Sequence, residues 1–442
     1  MLLALGAAVL VALPAAPVRA APGEAAPAFQ AEIADRAGGD WRAFYAARGN
    51  RPIWISSGGE LSPAAAMLLR QLETARVDGL KPGKLKARSL ARALDRAGSG
   101  APDDLARAEL ALSASYVRYV KALRGARRSA MIYESPALEP VVPSTGAALQ
   151  AAASAPSLTH YVEGMGWMHP LYAPLREGLA SGRYDEGQRA QIARNLERIR
   201  ALPADPGERY VLVDTAGARL WMYEDGKPVD TMRVVVGKAE QQTPMMAGFL
   251  RTAIVNPYWN VPGDLVQSRI AANVLGKGAD YLKAGGYQVL SDWSANPAVV
   301  DPGRIDWQAV AAGAEPPRVR QLPGKGNFMG KVKFMFPNEL GIFLHDTPDK
   351  ALLREDARQL SSGCVRLEDA GRLGRWLLNR PLPARAKSAE QRIDLPQVVP
   401  VYITYLTAMP AEGGIAFRSD VYVRDVASDK HGRTKLARAD RP

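Results

Sequence analysis

One cysteine and four histidines among 442 residues leave little material for metal chemistry. A single thiol closes no intramolecular disulfide and builds no zinc site of several thiolates. The histidines, His160, His169, His345 and His431, are scattered, so no metal and no cofactor is expected. The 40 glycines and 33 prolines follow no triplet period, which excludes a collagen-like chain. Past the N-terminus no apolar run reaches the roughly 20 residues that cross a bilayer. Acidic residues number 45 against 57 basic ones, a formal net charge of +12. That excess favours an anionic partner without identifying it, and no basic, aromatic-interleaved motif of a nucleic-acid binder accompanies it. What is present is ordinary: 47% apolar and 23% charged residues, in a length that suits two or three domains with sizeable cores.

Residues 2–17 read LLALGAAVLVALPAAP and lead into Val18-Arg19-Ala20. An apolar run ending in small residues has the form of a secretory signal, so residues 1–20 are expected to direct export and to be cleaved after Ala20 or Ala21. No Lys or Arg precedes the run, which departs from the pattern. The alternatives are an uncleaved anchor or a buried core helix. In an oxidising compartment a lone cysteine is buried and inert, paired with another molecule, or a working thiol.

The chain then divides by texture. From 28 to 205 the pattern is helical. Ser62-Pro63 is a cap followed by a first-turn proline, and Asp78-Gly79 closes the stretch it opens. Asp103 and Asp104 start another helix, with Leu105, Leu112, Tyr116, Tyr119 and Leu123 on one face. A third helix is expected near 187–201, stopped by Pro203. From 208 to 408 the texture is β. Tyr210-Val211-Leu212-Val213 is a short strand, and Asp225-Gly226 joins two further runs as a hairpin. Strands are also expected at 248–255, 332–336, 341–344 and 401–405, with one helix at 367–378. The stretch 291–323 shows no period, and 264–323 is expected to form a long lid insertion. Residues 409–442 are expected to hold a C-terminal strand and a basic tail. The fold class is α+β: an α-helical N-terminal domain followed by a mostly β domain.

The only cysteine lies in Leu360-Ser361-Ser362-Gly363-Cys364-Val365-Arg366. Small residues before it suit a tight turn in which the amides of Gly363 and Cys364 face one point. A helix is expected just after it. Both features favour a thiolate beside an oxyanion hole. His345 lies 19 positions earlier (364 − 345), at the end of the apolar run Gly341-Ile342-Phe343-Leu344. A neutral imidazole there can take the thiol proton and return it to a leaving amine, with Asp346, through its carbonyl or its carboxylate, orienting the ring. On spacing alone, a buried small hydrophobe and a structural histidine remain open readings of the pair.

His345-Asp346-Thr347-Pro348, then residues 346–360 as spacer, then Ser361-Ser362-Gly363-Cys364-Val365-Arg366, resembles the signature of the YkuD-type L,D-transpeptidases, which cross-link peptidoglycan. Ser362 stands where most of that family has a second histidine. Further likeness, to the large periplasmic murein L,D-transpeptidases of the YcbB type, runs through Val236-Gly237-Lys238 with Thr243-Pro244, Asn256-Pro257-Tyr258-Trp259-Asn260-Val261-Pro262, Arg320-Gln321-Leu322-Pro323-Gly324 and Lys333-Phe334-Met335-Phe336-Pro337-Asn338. Trp54 and Asp78-Gly79-Leu80 fit the helical scaffold region of that subfamily. The interval between Pro170 and the Asn195-Leu196-Glu197-Arg198 helix is too short for the peptidoglycan-binding module such proteins usually carry.

The resemblance implies a helical scaffold domain ahead of a YkuD-type catalytic domain, in the periplasm. It implies that Cys364 attacks a tetrapeptide donor stem, releases D-alanine and passes the acyl group to an amine of another stem, forming 3→3 cross-links. Carbapenems are then expected to acylate Cys364. The oxyanion is assigned to the Gly363 and Cys364 amides, helped by Ser362. The expected partners are peptidoglycan stem peptides and other cell-wall synthesis proteins. The rival readings are an L,D-carboxypeptidase or cysteine peptidase acting on murein, and a non-catalytic wall-binding protein.

Other residues have weaker claims. Arg366 holds a substrate carboxylate, or it pairs with Glu368 or Asp369. Trp259, with Tyr258, lines a substrate groove or sits in a core. Phe343 shares a face with His345 by strand alternation and walls the site or packs in the core. Asn327 binds substrate or makes a turn, the turn being favoured. His160 and His169 are read as structural.

Overall fold

The computed structural model describes residues 28–56 and 58–425. The expected export signal at 1–20 and the polar tail at 428–442 lie outside the described residues. Helices fill the first half: Ala28–Arg36, Gly39–Ala47, Pro63–Glu73, Ala87–Ala97, Pro102–Arg124, Thr145–Ser154, Leu158–Glu163, Tyr172–Ala180 and Glu186–Ile199. Pro102–Arg124 is the central one. Asp103 and Asp104 occupy its first turn and Lys121 and Arg124 its last, so its charges complement the helix dipole. Leu105, Leu112, Tyr116, Tyr119 and Leu123 are all buried along it, as their spacing predicts. Glu186–Ile199 starts in a capping box built from Asp185 and Gln188. Among the described residues no helix is long and apolar enough to cross a membrane.

Two buried carboxylates organise this domain. Glu109 accepts from Tyr45 Oη at 2.7 Å and from the amides of Ile53 and Trp54 at 2.7 and 3.0 Å. Asp78, read from the sequence as a helix end and as part of the Asp78-Gly79-Leu80 likeness, is a hub. Its carboxylate accepts from Tyr119 Oη (2.8 Å), Tyr172 Oη (3.0 Å) and Arg176 Nε (2.9 Å), and its carbonyl accepts from Arg200 (2.7 Å).

A short strand, β1 (Ile132–Tyr133), leaves the helical domain and joins the sheet of the second half. That half contains β2 (Arg209–Asp214), β3 (Arg219–Glu224), β4 (Lys227–Gly237), β5 (Met246–Val255), β6 (Trp259–Val261), β7 (Tyr287–Leu290), β8 (Val299–Val300), β9 (Arg318–Gln321), β10 (Val332–Met335), β11 (Leu344–His345), β12 (Gln359–Ser361), β13 (Val365–Leu367) and β14 (Gln391–Thr404). Asp225 and Gly226 both take positive φ, 49° and 74°, in the tight turn between β3 and β4, the conformation that an Asp-Gly hairpin favours. The main sheet runs β5-β10-β11-β13-β4-β3-β2-β14, and β14 pairs back onto β5, so the path closes on itself. Closure removes free edges and fixes register around the ring. One apolar cluster joins Val211, Leu220, Val234, Phe334, Leu344, Val365 and Val401 to Leu373 and Leu377 of the helix Ala370–Leu378.

Three local expectations change. The stretch expected as a lid belongs to a small folded unit rather than a structureless loop: β6, β9, β7 and β8 form their own sheet, and Trp259, Val266, Ile270, Tyr287, Trp307 and Val319 share a core with short helical segments. Strands of two to four residues are too short to show a period in sequence. The strand expected at 341–344 begins only at Leu344. Asn338 holds the preceding residues in a turn, its Oδ1 accepting from the Leu340 and Ile342 amides and its Nδ2 donating to the Phe336 and Ile342 carbonyls. The helix expected from 367 begins at Ala370, capped by Asp369, because Val365–Leu367 belong to β13.

After β14 the chain forms the hairpin β15 (Ala408–Ala411) and β16 (Gly414–Phe417). Ala408 and Met409 join the helical domain's core, with Ile415 and Phe417 packed against it, so this hairpin stitches the two halves together. Asp78→Ala leaves the Arg176 guanidinium buried without its carboxylate. The expected loss of stability is about 3–5 kcal/mol, read as a lower urea midpoint at unchanged slope. A midpoint equal to that of the wild type contradicts the hub.

Candidate active site

Strand β11 sits between β10 and β13, antiparallel to the first and parallel to the second. Its register sets Leu344 beside Val365 and His345 beside Arg366. Carrying it one step back sets Phe343 beside Cys364, in keeping with the Val365 amide donating to the Phe343 carbonyl at 3.1 Å. Registered neighbours in a parallel pair point to one face, and alternation sends the next residues to the other. Leu344, Val365 and Leu367 accordingly point into the apolar core. Phe343, His345, Cys364 and Arg366 share the opposite face. The pairing that the 19-residue separation could only suggest thus follows from two short strands in register.

His345 is buried, and its Nδ1 lies 2.5 Å from the carbonyl oxygen of Asp346. That contact requires the proton on Nδ1 and leaves Nε2 as the basic nitrogen. Of the two orienting groups considered, the carbonyl does the work. The Asp346 carboxylate is engaged elsewhere, with Lys350 Nζ at 2.7 Å and the Lys331 amide at 2.9 Å. Burial, reinforced by the nearby Arg366 charge, pushes the imidazole down to about 3, so it is neutral at physiological pH.

Cys364 keeps part of its surface in solvent. Its Sγ donates to the Gly341 carbonyl at 3.5 Å, and among the described residues it makes no hydrogen bond to His345. Burial raises the thiol to about 11, with the Phe343 backbone and the Arg366 charge pulling the other way. The expected helix N-terminus is absent behind the thiol. Cys364 leads straight into β13, and the helix starts at Ala370, six positions on (370 − 364), so no helix dipole lowers the thiol. The pair is therefore a neutral thiol and a neutral imidazole, and contacts between such partners commonly tighten only when substrate arrives.

The turn before the thiol is shaped by hydrogen bonds. Gly363 takes φ 118°, which excludes a side chain there. Its amide donates to Ser361 Oγ at 3.2 Å, and Ser361 Oγ donates to the Cys364 carbonyl at 2.6 Å. The Gly363 amide is thus turned inward, which corrects its assignment to an oxyanion hole. The Cys364 amide has no acceptor among the described residues and stays available, beside the exposed Ser362.

The remaining residues divide. Arg366 makes no ion pair among the described residues, because Glu368 is held by Arg233 and Asp369 caps the helix. It is a half-buried guanidinium on the thiol's face. Phe343 does wall the site: its ring lies 6.0 Å from that of His345 and packs against the insert's core. Trp259 is corrected to a core residue, buried against Phe328 and Tyr287 at ring separations of 4.7 and 6.4 Å. Tyr258 instead lies under Arg320, 4.4 Å from ring to guanidinium carbon. Asn327 makes the turn, the favoured of its two readings, and is not a substrate contact. Its Nδ2 donates to the carbonyls of Pro257, Gln321 and Leu322 and its Oδ1 accepts the Met329 amide, which leaves nothing for a ligand. His169 is buried, its Nδ1 accepting from the Leu171 amide.

One site residue carries no role in the sequence reading. The Thr243 hydroxyl donates to the Gly363 carbonyl at 2.6 Å and accepts the Gly237 amide at 2.8 Å, so it ties the cysteine turn to the end of β4. Its only signal was its place in the Thr243-Pro244 motif.

Comparison with known proteins bears on both halves of the chain. Residues 208–403 match the family model of the L,D-transpeptidase catalytic domain, YkuD, and residues 39–179 match that of the Scaffold domain. A curated protein of Haemophilus influenzae, whose name makes it a candidate L,D-transpeptidase, is 32% identical over 242 residues, 53% of this chain and 48% of its own. The chain therefore spans about half the length of that relative. Among solved structures, an Enterococcus faecium L,D-transpeptidase is 12% identical over 46% of this chain and 52% of its own, with a TM-score of 0.24. A Mycobacterium smegmatis L,D-transpeptidase is 10% identical over 44% of this chain and 58% of its own, with a TM-score of 0.23. Likenesses that faint carry no further argument. Residues 208–403 form an L,D-transpeptidase catalytic domain of the YkuD family, joined to a scaffold domain at residues 39–179.

Proposed function

We propose that this chain is an exported, cysteine-dependent peptidoglycan L,D-transpeptidase that makes 3→3 cross-links in the periplasm. The observation that carries the reading is the common sheet face of His345 and Cys364, with the thiol partly open to solvent.

The chemistry follows from the groups on that face. A tetrapeptide donor stem lies with the carbonyl before its terminal D-alanine against Cys364 Sγ. His345 Nε2 takes the thiol proton as sulfur attacks, and the carbonyl oxygen gains negative charge beside the Cys364 amide and the Ser362 hydroxyl. Collapse breaks the C–N bond, and the imidazolium gives its proton to the departing D-alanine amine. A thioester remains. The amine of a second stem then attacks it, loses a proton to His345 and frees the thiol. The Arg366 guanidinium, which makes no ion pair among the described residues, suits a stem carboxylate through a two-point contact.

Purified chain incubated with disaccharide-tetrapeptide is expected to yield 3→3 dimers and free D-alanine, resolved by mass spectrometry. Cys364→Ala is expected to lower the yield by at least about 1000-fold. Cross-linking retained in that variant contradicts the reading, and D-alanine release without dimers reassigns the enzyme as a carboxypeptidase.

The electrostatics predict a pH profile. The reactive form is neutral at both groups, so it persists between the histidine value of about 3 and the thiol value of about 11. kcat/KM for the acylation half-reaction is expected to stay flat from about pH 5 to pH 9. An acid limb centred at 6.5, the ordinary imidazole value, contradicts the buried neutral base.

A further inference from the structure

Residues 238–245, which carry Thr243, have no ladder of their own and lie between β4 and β5. They are held from outside by a hook that follows the β15–β16 hairpin. Arg424 Nε donates to Gln242 Oε1 at 2.8 Å, and its second arm donates to the Thr243 carbonyl at 3.2 Å. Tyr422 accepts from Gln242 Nε2 at 3.3 Å through its carbonyl, and its hydroxyl donates to the Gly237 carbonyl. The Arg424 guanidinium lies over the Tyr405 and Tyr422 rings, 5.1 and 4.9 Å from their centres. Those rings are themselves stacked, 5.2 Å apart.

The hook is strained. Val423 takes φ 54°, a conformation that a β-branched residue avoids and keeps only where its surroundings dictate it. What dictates it is the Asp420 carboxylate, which accepts from Tyr405 Oη (2.6 Å), the Arg424 amide (2.8 Å) and the Asp425 amide (2.7 Å). Asp425 in turn pairs at 2.6 Å with Arg198, a buried residue of the helix Glu186–Ile199, and accepts from Thr407 Oγ1 at 2.9 Å. An unbroken set of polar contacts therefore runs from that helix through the hook to Thr243 and the Gly363 carbonyl.

We propose that Arg424 is a positioning residue for Cys364, its two-armed grip on residues 242–243 holding Thr243, and through it the cysteine turn, where the thiol can attack. The proposal rests on Cys364 being the nucleophile. Lysine keeps a cation over the two rings but lacks the planar fork, so one mobile ammonium replaces two donors fixed side by side and the grip on residues 242–243 loosens. Stability and positioning therefore separate between the two substitutions.

The full chain is compared with its Arg424→Ala and Arg424→Lys variants. Arg424→Lys is expected to keep a melting temperature within about 2 °C of wild type, since the ring contacts survive. Its kcat for acylation is expected to fall by about tenfold or more at nearly constant KM, as a displaced nucleophile requires. Arg424→Ala is expected to lose both rate and stability. Alkylation of Cys364 by iodoacetamide across pH, which needs no murein chemistry, is read in parallel and is expected to show a shifted profile in both variants. A wild-type acylation rate in Arg424→Lys overturns the proposal. If the wild-type chain makes no thioester, the proposed function fails on its own account. An unshifted alkylation profile in Arg424→Lys then overturns the positioning role as well.

Discussion

The parallel pairing of β11 with β13 is the constraint on which the rest depends. Each strand is only two or three residues long, so neither holds its register unaided. Register comes from outside the pair. β10 fixes β11 through Lys333 opposite His345, and β4 fixes β13 through Val235 opposite Arg366. Closure of the sheet through β14 holds those neighbours in turn. A slip of one residue moves His345 to the core side, where Leu344 now lies, and off the face that carries the thiol. The closed sheet thus presents His345 and Cys364 on one face.

The His345–Cys364 pair is uncharged at rest. Burial depresses the imidazole and raises the thiol, so neither carries charge before substrate arrives. A resting thiolate–imidazolium pair is disfavoured, so the proposed reaction has its proton transfer coincide with attack. The cations around the pair are placed unequally. Lys333 is paired with Glu390 at 3.0 Å, whereas Arg366 makes no ion pair among the described residues and feels the Asp349 carboxylate only at longer range. The Arg366 charge thus sits next to the thiol, where an anionic stem is expected to dock.

The parts of this architecture legible in sequence are those decided by near neighbours. The helix Pro102–Arg124 announces itself through its apolar spacing and its charged ends, and the β3–β4 turn through Asp225-Gly226. Cys364 and His345 were legible as candidates through residue type, and through motif context once a resemblance was admitted. What escaped depends on contacts far apart in the chain. Trp259 looks like a groove aromatic until the short strands of the insert close around it. Asn327 looks available until the carbonyls of Pro257, Gln321 and Leu322 claim its amide. The Gly363 amide faces inward because Ser361 is there to accept it, a matter of turn geometry that residue identity does not encode. The Thr243–Gly363 bond spans 120 positions, and no local pattern could have indicated it.

The central claim is that Cys364 acts as an acyl-accepting nucleophile with His345 as its base, and a carbapenem tests both at once, since its strained β-lactam carbonyl acylates a competent thiol. Time-resolved intact-mass measurement under reducing conditions is predicted to show a single adduct on Cys364 in the wild-type chain. In His345→Asn the same adduct forms more slowly by about 100-fold or more. No adduct in the wild type, or equal rates in the two proteins, contradicts the account.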